Sequence, residues 1–87
     1  MANLIHQVKP VYPLLASKTG RQGVVVLEAV ITREGTIDPA RLRVLSGDIL
    51  LKQAAVDAVL QWRYKPTTLS GQTVEVMTTI SINFTLN

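Results

Sequence analysis

Residues 76–87 read VMTTISINFTLN and contain no charged residue, no proline and no glycine. Apolar side chains at Ile80, Ile82, Phe84 and Leu86 alternate with polar ones at the positions between them. Strict alternation with period two predicts a β-strand that buries one face. If this strand lies at the edge of a sheet, nothing in its sequence discourages another chain from pairing with its backbone.

The segments before this strand predict a short helix followed by a β-hairpin. Residues 13–18 begin with a proline, which the first turn of a helix tolerates, and end shortly before Gly20. Residues 24–33 are rich in valine and lead through Glu34-Gly35, a turn signal, to a returning strand over residues 37–46. Because Pro39 interrupts the alternation of this second strand, we expect a bend there.

A longer helix is predicted over residues 49–61. Asp48 is a suitable N-cap for it, and its apolar side chains recur at helical spacing, with Trp62 on the same stripe. Pro66 prevents the helix from continuing. We expect a loop over residues 67–71 and one last strand that runs from residue 72 or 73 to residue 86.

This order of elements, α-β-β-α-β, predicts an α+β domain. The crossover helix returns the third strand antiparallel to the first, so we expect a three-stranded antiparallel sheet in the order two-one-three, with both helices on one face. The second strand carries Pro39, Arg41 and Arg43, which discourage pairing at its edge, whereas the third strand carries only Glu75 near its start. We assign the domain to residues 10–87 and a tail or linker to residues 1–9.

Composition points to one folded domain without catalytic chemistry. The chain has 87 residues, of which 47% are hydrophobic and 17% charged, values typical of a globular protein. The net charge of +3 comes from dispersed residues and predicts no nucleic-acid binding. With no cysteine and one histidine, His6 in the predicted tail, we expect no enzyme activity, no metal and no cofactor.

Short motifs follow one another in a recognisable order along the chain. Trp62-Arg63-Tyr64-Lys65-Pro66 separates the long helix from the last strand, and Lys9-Pro10-Val11-Tyr12-Pro13 precedes the first helix. Gly35 in the hairpin turn, Leu45-Ser46-Gly47 before the long helix and the terminal strand complete the set. No single motif is specific, but the ordered set, over about residues 9–87, resembles the TonB C-terminal domain family.

This resemblance implies a function in energy transduction. Members of the family are periplasmic domains of proteins anchored in the inner membrane of Gram-negative bacteria. They bind the TonB box, a short extended peptide of outer-membrane TonB-dependent transporters, which adds a strand beside their last strand. Inner-membrane motor proteins, reached through the region upstream of the domain, supply the pull that opens the transporter for siderophore-like or cobalamin-like cargo.

The resemblance also assigns roles to individual residues. The peptide-binding residues that it implies are Thr79, Ile80, Ser81, Ile82, Asn83, Phe84, Thr85 and Leu86. Lys9 and Pro10 stand where family members have a Gln-Pro pair that contacts the transporter plug, and they are a candidate contact here. The positions of four other residues, apart from the resemblance, predict structural roles. Tyr12 should anchor the first segment, Trp62 should lie in the core on the apolar stripe, and Tyr64 and Pro66 should fix the exit from the helix.

Other functions stay open from the sequence alone. The last strand can pair with its own copy, which would make the domain a homodimeric or strand-swapped interaction module. It can also be a tolerated edge at a chain terminus. An RNA-binding domain of similar layout would carry stacking aromatic residues on its open sheet face, and the residues predicted for that face include none.

Overall fold

The computed structural model describes residues 3–86, which fold around a nine-residue central strand. In chain order the elements are β1 (Asn3–His6), α1 (Leu14–Lys18), β2 (Gly23–Ile31), a 3-10 helix (Pro39–Arg41), β3 (Arg43–Ser46), α2 (Ile49–Val59), β4 (Arg63–Lys65), β5 (Thr67–Leu69), β6 (Gln72–Val74) and β7 (Val76–Phe84). The longest helix of the described part has eleven residues, which is too short to cross a membrane.

The main sheet has three antiparallel strands in the order β3-β2-β7. This is the predicted order two-one-three, so the predicted α+β fold is confirmed. Strands β2 and β7 pair without interruption, from Gly23 opposite Phe84 to Ile31 opposite Val76. The regular register keeps the alternation of side chains intact along the whole of β7.

One face of this sheet and the two helices enclose the core. Alternate residues of β2 and β7 supply its sheet side, and Ala16 of α1 joins them. The buried stripe of α2 consists of Leu51, Ala55, Ala58 and Val59, which recur at helical spacing. The helix begins where predicted, because the Asp48 carboxylate accepts a hydrogen bond of 2.8 Å from the Leu50 N–H.

The predicted start of the last strand, at residue 72 or 73, is wrong. Residues 67–74, expected to be a loop and the start of that strand, form the hairpin β5–β6, and β7 starts only at Val76. Ser70 and Gly71 adopt positive φ angles of 53° and 79°, the geometry of a two-residue hairpin turn. Ser70-Gly71 is a turn signal in the sequence, and it connects two paired strands instead of lying in a loop.

The predicted second strand is also shorter than expected. Residues 37–46 give a single bridge between Ile31 and Ile37, then the 3-10 helix, and only then β3. The Asp38 carboxylate starts the 3-10 helix by accepting from the Ala40 N–H at 2.9 Å. The bend that Pro39 predicted is therefore a helical turn that replaces the middle of the strand.

The predicted N-terminal tail is wrong for the residues that the structure describes. Asn3–His6 form β1, which pairs antiparallel with β4, with Asn3 opposite Lys65 and Leu4 opposite Tyr64. All four residues of β1 are exposed, so burial imposes no alternation on its sequence. Residues 1 and 2 of the predicted tail lie outside the described part, and the domain boundary at residues 9 and 10 stays a prediction.

Arg41 joins the 3-10 helix to the junction between β6 and β7. Its guanidinium donates to the Asp38 carboxylate at 2.7 Å and makes two hydrogen bonds to Glu75, at 3.0 and 2.5 Å. Hydrogen bonds from Arg41 hold the pKa of Asp38 and that of Glu75 below their ordinary values. The same two carboxylates raise the pKa of Arg41, so the guanidinium stays charged at all working pH values.

These shifts predict an acid-sensitive contribution to stability. A lowered pKa in the folded state stabilises the protein above the unfolded-state pKa, and this stability is lost as the pH falls through the folded-state pKa. As the pH falls from about 6 to about 3, the free energy of unfolding should therefore decrease less for Arg41→Ala than for the wild type. Urea denaturation across this range measures the difference.

Arg43→Ala is the matched control, because Arg43 lies near Glu28 at the longer distance of 3.6 Å. Its pH profile should parallel that of the wild type. An Arg41→Ala profile that also runs parallel would contradict the assignment to Arg41.

Candidate functional site

Strand β7 has one edge to which no strand of the described part binds. Within residues 3–86 it pairs with β2 alone, at the side of the sheet opposite β3. Thr79–Phe84, from the predicted binding run, lie in β7, and Thr85 and Leu86 follow directly. The open edge predicted from the sequence is therefore present, and it contains no charged side chain.

Hydrogen bonds at both ends of the sheet reveal which backbone groups point toward this open edge. The Val30 carbonyl accepts from the Asp38 N–H at 3.0 Å, so Val30 directs its backbone groups away from β7. The backbone N–H and C=O groups of successive residues in a strand point to opposite sides. Those of Ile31 and of the other odd-numbered residues of β2 therefore point to β7. Their partners in β7 are the even-numbered residues, such as Ile80 and Ile82.

The end of the chain gives the same alternation. The Leu86 N–H donates to the Gln22 side-chain oxygen at 2.7 Å, toward the end of β2. From Val76 to Leu86, the backbone groups of the even-numbered residues therefore point toward β2. The N–H and C=O groups of the odd-numbered residues point outward along the open edge, and these residues are Met77, Thr79, Ser81, Asn83 and Thr85.

The eight residues of the predicted binding run thus divide into two sets. Ile80, Ile82 and Phe84 bury their side chains in the core and direct their backbone groups to β2. The half-buried Leu86 belongs to the same set, because its N–H points toward the end of β2. Thr79, Ser81, Asn83 and Thr85 have exposed side chains and outward backbone groups. Only the second set can exchange main-chain hydrogen bonds with an added strand.

A groove of about 430 Å³ runs beside the C-terminal half of β7. One wall is the strand from Ser81 to Thr85, and the other is the N-terminal segment over residues 7–12. Lys9 and Pro10, the candidate transporter contact, lie in this second wall. The fold therefore brings together two sets of residues that the sequence separates by most of its length.

Aromatic residues hold the N-terminal wall in place. The Tyr12 ring packs edge-on against Phe84 with 5.5 Å between ring centroids, and its hydroxyl donates to the Arg21 carbonyl. Trp62 donates from its indole nitrogen to the Val8 carbonyl at 2.9 Å. The Lys9-Pro10 pair is therefore held in position from both sides, by Trp62 through Val8 and by Tyr12.

Two more residues with predicted structural roles lie at the exit from α2. Tyr64 is 7% exposed, and burial raises the pKa of its hydroxyl. Its N–H donates to the Gly35 carbonyl at 2.8 Å, which fastens β4 to the turn after β2. Pro66 is exposed and separates β4 from β5.

Sequence reasoning missed two glutamines at this site. Gln7 lines the groove from the segment that was predicted to be a tail, and Gln22 accepts the hydrogen bond from Leu86. Neither has a sequence signal, because both lie in segments without periodicity. In residues 3–86 no group of three or more His, Cys, Asp or Glu side chains is arranged to hold a metal ion.

Comparisons with known proteins agree with the resemblance predicted from the sequence. Residues 8–86 match the family model of the Gram-negative bacterial TonB protein C-terminal. The chain is 36% identical to Protein TonB of Vibrio cholerae over 80 residues, which are 92% of this chain and 33% of that protein. It is 31% identical to Protein tonB2 of Pseudomonas aeruginosa over 86 residues, 99% of this chain and 32% of that protein.

A solved structure has the same fold. The solution NMR structure of the Pseudomonas aeruginosa TonB CTD superposes with a TM-score of 0.79 at 26% identity, covering 98% of this chain and 86% of that one. The chain spans about a third of the length of the two full relatives.

Proposed function

This chain belongs to the family of TonB C-terminal domains, and on that premise we propose that it binds an extended peptide by strand addition to the open edge of β7. The peptide is the TonB box of an outer-membrane transporter. The observation that carries the proposal is the outward direction of the backbone groups of Thr79, Ser81 and Asn83 along an uncharged edge.

The bound peptide gains its affinity mainly from main-chain hydrogen bonds. Each one contributes about 0.5–1.5 kcal/mol net, so several are needed for a useful complex. Ser81, Asn83 and Thr85 face the groove that Lys9, Pro10 and Tyr12 close on the other side. This second wall confines the peptide and gives the transporter plug a surface to contact.

Strand addition also suits a protein that transmits a pull. Hydrogen bonds between antiparallel strands run perpendicular to the strand direction, so a force along the strands loads several bonds together. In the whole protein, motor proteins of the inner membrane would apply this force through the region upstream of the domain. The domain would act in the periplasm of a Gram-negative bacterium, tethered to its inner membrane, in the import of siderophore-like or cobalamin-like cargo.

A second candidate uses the same edge. An uncharged strand edge without proline is also open to a second copy of the domain, and such pairing would give a homodimer. Light scattering distinguishes the two functions, because peptide capture requires the edge to be accessible in the isolated domain.

Titration of the ¹⁵N-labelled domain with an uncharged TonB-box peptide tests the proposal. The amide signals of Thr79, Ser81 and Asn83 should move most, because their N–H groups gain new acceptors, while those of Ile80 and Ile82 should move less. Two control peptides are N-methylated at one or the other set of alternate residues. The peptide whose methyl groups face β7 lacks the donors for strand pairing and should bind weakly. Unmoved amides in a monomeric domain at high peptide concentration would overturn peptide capture.

A further inference from the structure

The groove beside β7 has one lining side chain that is charged at neutral pH. Of the nine residues that line it, only Lys9 carries a charge. The others are neutral, and they are Gln7, Pro10, Tyr12, Ser81, Ile82, Asn83, Phe84 and Thr85. The groove therefore has a net positive charge that none of its own residues balances.

No carboxylate of the described part forms an ion pair with Lys9. Within 4 Å, the ion pairs of residues 3–86 join Arg21 to Asp48, Arg41 to Asp38 and Glu75, and Arg43 to Glu28. Asp57 lines an adjoining groove that Lys9 also borders, and its carboxylate accepts from the Gln53 side chain at 2.8 Å. The exposed Lys9 side chain is thus available to a ligand in the groove.

We propose that Lys9 makes this domain select extended peptides that carry a carboxylate at the end lying beside Asn83 and Thr85. This inference rests on the proposed function, since it concerns a ligand already paired with β7. The ammonium group of a lysine side chain reaches several ångströms from its backbone, far enough to meet a side chain of an added strand. A carboxylate there is attracted, and a cationic residue there is repelled.

The magnitude follows from the exposure of the pair. An exposed ion pair changes an equilibrium by a small factor, so we expect about threefold tighter binding of an acidic peptide than of its neutral counterpart. A basic peptide should bind about threefold more weakly than the neutral one. Added salt should remove both differences, because the Debye length falls from about 30 Å at 0.01 M to about 3 Å at 1 M.

The test uses three TonB-box peptides that differ only in one terminal residue, which is Glu, Gln or Lys, with both ends chemically capped. The set is made twice, with the variable residue at either end, because the two strand directions bring different ends to Lys9. Calorimetry at low salt should give the order Glu, Gln, Lys in affinity for one of the two sets. The Lys9→Gln variant should bind all three peptides with affinities within about twofold.

Lys18→Gln is the matched control, because it removes a lysine at the last turn of α1, away from the groove. It should keep the order of affinities that the wild type has. If the wild type binds all peptides equally in both sets, the role of Lys9 is wrong while the proposed function stands. If none of the peptides binds, the proposed function is overturned, and the inference with it.

Discussion

Replacing Gly35 by alanine is expected to lower the free energy of unfolding by about 3 kcal/mol or more. Gly35 is buried and has a φ of +89°, a region that residues with a Cβ rarely adopt. A Cβ at this position would lie 2.0 Å from the Tyr64 carbonyl oxygen, which is a backbone atom and cannot rotate away. Thermal denaturation should show a melting temperature lower by at least about 12 °C.

Gly20→Ala separates the two causes of this effect. Gly20 also has a positive φ, +69°, but a Cβ there would meet no atom within 4 Å. Gly20→Ala should therefore lower the free energy of unfolding only by the backbone strain, about 1 kcal/mol. Equal losses in the two variants would show that contact with Tyr64 contributes nothing.

The position of Gly35 also matters for the groove. The turn that contains it is bonded to β4 through the Tyr64 N–H, and β4 pairs with β1. The chain then continues from β1 into residues 7–12, the second wall of the groove. Any Gly35→Ala protein that still folds should have this wall displaced and should bind the TonB-box peptide more weakly than Gly20→Ala does.

The sheet could be predicted because burial constrains its strands. Each of β2 and β7 presents one face to the core, so Val25 and Leu27 in one strand and Ile80 and Ile82 in the other had to be apolar at every second position. The stripe of α2 follows from the same requirement with helical spacing. Since element order then leaves few ways to arrange three strands, the sheet order followed as well.

Elements without a buried face could not be predicted. Strand β1 is wholly exposed, and β5 and β6 bury no residue, so hydrogen bonding to a neighbour holds them without any apolar pattern. Glu75 lies between β6 and β7 and binds Arg41 of the 3-10 helix. A contact between residues so distant in sequence leaves no local signal.

The candidate site shows the same contrast. The open edge of β7 was predictable, because its lack of charge and the order of the elements are properties of the sequence. The groove was not, because it requires Lys9 and Pro10 to lie beside Asn83. The contacts of Tyr12 with Phe84 and of Trp62 with Val8 hold that segment in place, and they join residues far apart in the sequence. The direction of each backbone group likewise required the hydrogen bonds of Val30 and Leu86.

The Asn83→Pro variant is expected to remain folded and to bind the TonB-box peptide at least about 30-fold more weakly. The Asn83 N–H points outward, so proline removes no hydrogen bond of the sheet, and an edge strand tolerates it. The bound peptide, however, loses a donor for one of its carbonyl groups, and the proline ring lies in its path. Calorimetric titration measures the affinity, and circular dichroism verifies the fold.

Two further variants isolate the backbone group as the cause. Asn83→Ala removes the side chain but keeps the N–H, so its affinity should stay within about threefold of the wild type. Ile82→Pro alters the neighbouring residue, whose amide points to β2, and should unfold the domain by breaking the pairing with Val25. Strand addition predicts that Asn83→Pro loses affinity whereas Asn83→Ala retains it. Wild-type affinity in a folded Asn83→Pro protein would mean that the peptide binds elsewhere than at the edge of β7.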